Sequence, residues 1–181
     1  MLYHYIEKFL PSDCCVLGSA FMIEERDRRE VDQQRLGDRQ TPGSTIFYNP
    51  SYLTILLPVV KLSLERIWGK RLIPAYTYSR ILYPGSILEP HTDRPSCEYS
   101  VTVTMGHNYP EDFWFPIYMG GTPINIPVGD AVTYKGCEVE HWRDPLIGEP
   151  DKFWIQSFFH YVDADGEYAE EHGWDMGVVE R

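Results

Sequence analysis

A chain of 181 residues, 43% of them hydrophobic, is long enough to bury one core without disulfides or a structural metal, so a single domain over 1–181 is the expected organisation. Its net charge of −11 repels polyanions and argues against nucleic acid as a partner, while favouring a neutral or basic target. Cys14, Cys15, Cys97 and Cys137 form no C-x-x-C pair and read as reduced thiols, and no window nears the roughly 20 apolar residues of a membrane span; a soluble, cytoplasmic protein without a signal peptide is expected.

In chain order, the first ten residues form a short strand or helix that enters a turn at Pro11-Ser12-Asp13. Residues 24–46 are rich in charge, Gln, Gly and Pro without hydrophobic periodicity, and read as a long exposed segment, either a lid or plain surface chain. After Asn49-Pro50, Leu53, Leu56, Leu57, Val60, Leu64 and Ile67 recur at helical spacing and stop near Gly69. That is an amphipathic helix, kinked or split at Pro58. From Leu72 the pattern changes to short strands separated by Pro and Gly turns, at 75–83, 87–93, 97–105, 113–119, 124–126, 130–134, 139–143 and 153–162. Eight such strands predict an antiparallel sandwich or closed double sheet, most economically a jelly roll over about 72–162 with helical support from 1–71. Residues 163–181 are acidic and read as a surface tail.

The chemistry-bearing motif is His91-Thr92-Asp93, with His141 48 residues beyond Asp93. On an extended strand, positions two apart share one face, so His91 and Asp93 can grip one metal while His141 reaches it from a later strand. Two imidazoles and a carboxylate with open positions suit non-haem Fe(II) oxygenases, whereas structural zinc sites are closed and usually rich in cysteine. Catalytic zinc accepts the same three ligands, so a zinc hydrolase is the rival reading. A non-catalytic cupin-like binding module is the third. Oxygen activation by iron needs a reductant; where that is a dicarboxylate keto acid, its far carboxylate calls for a cation. Lys152, at the start of the last strand, is the candidate, against a solvated lysine in the Glu149-Pro150-Asp151 turn. Arg94, Tyr99, Trp114, Tyr134 and Trp142 are candidates for the substrate mouth or are core aromatics. His160 reads as a hydrogen-bonded core histidine, and His107 and His172 as solvated.

The chain resembles the Fe(II)/2-oxoglutarate-dependent dioxygenases, in particular their prolyl 4-hydroxylase-like branch. Tyr83-Pro84-Gly85 followed by Glu89-Pro90-His91-Thr92-Asp93 is similar to that branch's Tyr-x-x-Gly, Pro-His-x-Asp segment. Gly120-Gly121-Thr122, Pro127-Val128-Gly129-Asp130 and Asp151-Lys152-Phe153-Trp154 are similar to its central glycine pair, its later turn and its last strand, so the likeness covers roughly 76–162. The resemblance implies a double-stranded β-helix, iron on His91, Asp93 and His141, the far carboxylate of 2-oxoglutarate on Lys152 with a hydrogen bond from Tyr83, and O2-dependent hydroxylation releasing succinate and CO2. An amino acid, a prolyl peptide and a small metabolite are all open as substrates. One departure is Arg143, which shares the face of His141 and competes with Lys152 for the carboxylate.

Overall fold

Residues 1–32 and 38–174 are described in the computed structural model. Among the described residues, ten strands make two antiparallel sheets. In chain order the elements are β1 (Tyr3–Ile6), α1 (Ser12–Asp32), β2 (Thr45–Tyr48), α2 (Ser51–Thr54), α3 (Leu57–Trp68), β3 (Leu72–Leu82), β4 (Leu88–His91), β5 (Tyr99–His107), β6 (Ile117–Met119), β7 (Thr122–Ile124), β8 (Ala131–Tyr134), β9 (His141–Arg143), β10 (Trp154–Asp163) and α4 (Ala169–His172). The large sheet runs β1-β8-β5-β10-β3-β2 and the small one β4-β9-β6-β7. Sequence neighbours are repeatedly dealt to opposite sheets, which is the wrapping of a jelly roll. No helix among the described residues is long and apolar enough to cross a membrane.

Alternation along β10 explains how the layers are held. Ile155, Phe159 and Tyr161 join Met22, Leu53, Leu57 and Leu64 in the core beneath the helices. Gln156, Phe158 and His160, on the other face, line the space between the sheets. β3, which pairs with β10 over its whole length, repeats the division. Because both faces of these central strands are covered, nearly every residue in them is buried, and polar side chains such as Arg80 and Gln156 must find partners inside.

Pro58 splits the expected helix into α2 and α3. It falls in the first turn of α3, where its missing N–H would have had no intrahelical partner, and Gly69 closes that helix in the left-handed conformation with φ 63°. The first ten residues contain a strand, β1, which pairs with β8. The exposed segment expected over 24–46 is corrected on both sides. α1 continues through Asp32, with Arg28 paired to Glu24 and Glu25, four and three residues earlier. Those pairs hold helical turns that no apolar stripe announces. Residues 45–48 form β2, an edge strand on β3; the part of the segment at 33–37 lies outside the described residues, as do 175–181 of the expected tail. The described end of that tail carries α4.

Candidate metal centre

β4 and β9 are neighbours in the small sheet, and His91 and His141 are direct Cα partners across them. Asp93 follows just past the end of β4, where its backbone N–H donates to the Gly136 carbonyl at 2.8 Å. Asp93 Oδ1 then lies 3.6 Å from His91 Nε2 and 3.5 Å from His141 Nε2. One donor atom from each of the three side chains falls within 4.8 Å of the others. The approach of Asp93 depends on Gly136: a Cβ there would sit 2.2 Å from the Cys97 carbonyl oxygen and 2.6 Å from Asp93 Oδ2.

The imidazoles are oriented by the backbone. His91 Nδ1 lies 2.8 Å from the Glu89 carbonyl oxygen, and His141 Nδ1 lies 3.0 Å from that of Val139. A ring that donates Nδ1–H to a carbonyl presents the Nε2 lone pair at its other end. Both Nε2 atoms therefore face a carboxylate oxygen, an arrangement that is repulsive unless a cation or shared protons lie between. Burial would raise the Asp93 carboxyl, yet its contacts with His141 and His91 hold it well below the usual carboxylate range. Its second oxygen, Oδ2, is buried with no hydrogen-bond partner. An under-satisfied buried carboxylate and two aligned nitrogen donors, with no thiolate among them, fit a divalent ion such as iron or zinc.

The triad opens on a cavity of about 760 Å³. Its far wall is aromatic: Tyr48 from β2, Tyr76 and Tyr78 from β3, and Phe158 and His160 from β10. Successive ring centroids along this wall are 4.7 Å apart for Tyr48 and Tyr78, 5.9 Å for Tyr78 and Phe158, 6.1 Å for Phe158 and His160, and 4.4 Å for His160 and Tyr76. His160 is the hydrogen-bonded core histidine the sequence implied, with Nδ1 2.8 Å from the Ser100 hydroxyl, and burial pulls its pKa down to about 4. A second, smaller recess shares Arg80, Leu88 and Phe158 with the main cavity and is completed by Thr41, Ser86, Arg143 and Gln156, among others.

Two cations lie at that recess. Arg80, buried, donates to Asp38 Oδ2 at 2.7 Å and to Gln40 Oε1 at 2.6 Å, so its charge is neutralised. Arg143 is also buried, but its guanidinium donates only to neutral acceptors, the Phe115 carbonyl and Gln156 Oε1, and lies over the Phe115 ring. No carboxylate among the described residues pairs with it, and burial pulls its pKa down to about 9. The neighbouring acids Glu140 and Asp144 are not its partners; Asp144 instead accepts from the Tyr118 hydroxyl.

Several expected site residues lie elsewhere. Lys152 is in the turn before β10, with Nζ 3.3 Å from the Asn108 carbonyl oxygen and 3.9 Å from Asp151. It does not line the cavity. The reason is register: two residues further on, Trp154 plugs the barrel end with Phe115, Leu82, Tyr109 and Leu146, so the strand turns inward to the cavity only from Gln156. Tyr83 is likewise outside, with its hydroxyl 3.1 Å from that of Thr45. Tyr99 faces the helices and packs on Trp68, Trp142 alternates away from the ligand face and stacks on Tyr118, and Trp114 is exposed away from the cavity. Arg94 and Tyr134 do line it. His107, expected in solvent, stacks on Trp154 at 4.4 Å, and His172 stands at the cavity mouth.

Sequence reasoning missed Arg80 and Asp38. Arg80 was detectable as a charged residue at an inward position of a strand otherwise rich in aromatic and β-branched residues. Asp38 carries no such signal.

No family model matches the sequence, and no curated protein matches it. Solved structures do. A prolyl-4-hydroxylase from Pseudomonas putida superposes with a TM-score of 0.62 at 14% identity, covering 88% of this chain and 92% of that one. HygX from Streptomyces hygroscopicus, crystallised with nickel, 2-oxoglutarate and hygromycin B, gives 0.62 at 13% identity over 90% and 83%. SnoK, a non-haem α-ketoglutarate-dependent carbocyclase from nogalamycin biosynthesis, gives 0.69 at 12% identity over 90% and 80%. The chain therefore has the jelly-roll fold of the iron- and 2-oxoglutarate-dependent oxygenases, including that of prolyl 4-hydroxylases.

Proposed function

We propose that the chain is an Fe(II)- and 2-oxoglutarate-dependent hydroxylase of a small molecule, with His91, Asp93 and His141 as metal ligands and Arg143 as the anchor for the far carboxylate of 2-oxoglutarate. The observation that carries the reading is the pairing, on one face of β9, of a metal-ligand histidine with a buried arginine that has no acidic partner among the described residues. A buried charge without a counter-ion is costly, and a carboxylate entering the recess would supply both the opposite charge and a forked acceptor. Gln156 holds the guanidinium in place to receive it. The Gln156 Oε1 accepts from Arg143, Trp154 Nε1 and the Thr104 hydroxyl, while its Nε2 donates to the Thr102 hydroxyl. A zinc hydrolase would use the triad but give this cation no work.

When bound, iron, 2-oxoglutarate and O2 supply the oxidising power, and succinate and CO2 leave as co-products. The protein's part is binding and exclusion. Asp93 and the two Nε2 atoms would hold the metal, and the aromatic wall lines the cavity into which they open. His160, neutral through burial, puts no competing charge beside Asp93. A cavity of this volume suits a compact ligand, and HygX, with the same fold, was crystallised with the small molecule hygromycin B.

The test is anaerobic addition of Fe(II) and 2-oxoglutarate to the protein. A weak visible charge-transfer band, followed by succinate release on admitting O2, is expected. Metal uptake with neither band nor succinate would overturn the assignment in favour of a hydrolase or a binding module.

A further inference from the structure

Under the function proposed above, the substrate must be held by cavity groups that the protein does not already use. Several polar groups of the wall are committed: Asp38 accepts from Arg80 and from the Tyr78 hydroxyl, and the Tyr76 hydroxyl lies 3.2 Å from Cys97 Sγ. His160 differs. It lines the cavity from β10 although only 5% of it is exposed, and among the described residues only one of its ring nitrogens is hydrogen-bonded, Nδ1, 2.8 Å from the Ser100 hydroxyl.

The partner of Nδ1 decides what the other nitrogen can do. A serine hydroxyl has one proton, and that of Ser100 goes to the Cys97 carbonyl, which can only accept, at 3.1 Å. The bond to His160 is then made with a proton on Nδ1, which leaves Nε2 as a bare lone pair. Burial keeps the ring neutral by pulling its pKa down to about 4. With Nδ1 turned back to Ser100, the Nε2 edge is the one the ring offers to the cavity. Nε2 can accept a hydrogen bond but has none to give to a carboxylate, a carbonyl or an ether.

We infer that His160 is a substrate-binding residue whose Nε2 accepts from a hydroxyl or N–H group of the substrate, so that the site selects donor-bearing molecules over counterparts whose donor is blocked. The Asp93 charge reaches the His160 ring, so a donor held there leaves the carbons beside it near the metal position. Blocking the donor with a methyl group removes the bond and also shuts water away from a buried acceptor, and both effects act in the same direction. Together they amount to about a fivefold or greater preference.

Ligand-observed NMR titration tests this on the full chain loaded with Zn(II) and 2-oxoglutarate, a mixture that does not turn over. The probes are a panel of small alcohols, each with its methyl ether, and of primary amides, each with its N,N-dimethyl counterpart. In at least one of the two series the donor-bearing member should bind about fivefold or more tightly, and the series in which it does so identifies the donor. His160→Phe, which keeps a flat ring beside Tyr76 but has no acceptor, should bring the ratio to within about twofold. Histidine 15N spectra of the wild-type sample should show the proton on Nδ1 of His160, a reading that stands whether or not the variant folds. No preference in either series, a preference untouched by His160→Phe, or a proton found on Nε2 overturns the subsite. A chain that takes up Zn(II) and 2-oxoglutarate, seen by calorimetry, but shows one of these results fails only here; one that takes up neither fails at the proposed function and takes the subsite with it.

Discussion

The candidate metal end and the cation end of the barrel interior share one strand, β9, yet they are built on different principles. At the metal end, backbone geometry does the positioning: β4 and β9 are hydrogen-bonded neighbours, His91 and His141 are in direct register, and the Glu89 and Val139 carbonyls aim both rings. At the cation end, Arg143 is held by side chains and a carbonyl from distant parts of the chain, Gln156 and Phe115, in a recess that exists only once both sheets have closed. A site whose geometry is written into adjacent backbone is compact in sequence; one whose meaning is burial is not.

The strongest break in this comparison is Asp93→Ala. It removes the one anionic ligand, so iron-dependent succinate formation should fall below detection, and retained turnover would show that the metal is held elsewhere. Next is the contest between Arg143 and Lys152. Arg143→Met should raise the Kd for 2-oxoglutarate on the order of 100-fold, because the pair it forms is desolvated. It should leave the ligand-free protein as stable or more so in urea, because an uncompensated buried charge has been replaced by an apolar side chain of similar length. Lys152→Met, a change outside the cavity, should alter that Kd by less than about twofold. The reverse pattern, measured by calorimetry, would return the anchor to Lys152.

Gly136→Ala is subtler because it touches no ligand atom by bonding. The new Cβ would collide with the Cys97 carbonyl and the free oxygen of Asp93, so the loop that holds the carboxylate must shift. A loss of about 10–100-fold in metal affinity, the usual cost of disturbing groups that position ligands, is expected in a competition titration. Unchanged affinity would mean that Asp93 is positioned by β4 alone.

These cases also mark what could be read in advance. The clustering of His91, Asp93 and His141 was legible because H-x-D lies within one extended segment flanked by strand-like sequence, and the strand count from Leu72 onward pointed to the jelly roll. α1 was not, since Arg28 and its glutamates replace the apolar periodicity that announces a helix. The place of Lys152 was not either: it sits at a plausible distance in sequence, but Trp154, two residues later, fills the barrel end, and the lysine stays outside the cavity. Tyr99 and Trp142 stayed open between mouth and core for a related reason, because facing depends on register and register was fixed only by pairing with β8 and β6.

The smallest effect sought is on the stretch of chain that brings Asp38 to the cavity, a wall assembled from outside both sheets. Asp38 accepts from Arg80 at 2.7 Å, from the Tyr78 hydroxyl at 2.6 Å and from the Thr41 amide at 2.7 Å, and so ties residues 38–44 to β3. Burial would raise its carboxyl, but Arg80 and these hydrogen bonds outweigh it and the pKa is lowered. A carboxyl with a folded pKa below its unfolded value stabilises the fold fully above about pH 4 and loses that contribution as the pH falls through the lowered value. Asp38→Asn should therefore cost about 2 kcal/mol at pH 7, somewhat under the range for a fully buried pair because the Asp38 side chain keeps 19% of its exposure. Urea midpoints taken from pH 7 downward should converge for the two proteins as the wild-type carboxyl protonates. A gap that stays constant with pH would mean that the shape of Asp38, and not its charge, holds this wall to Arg80.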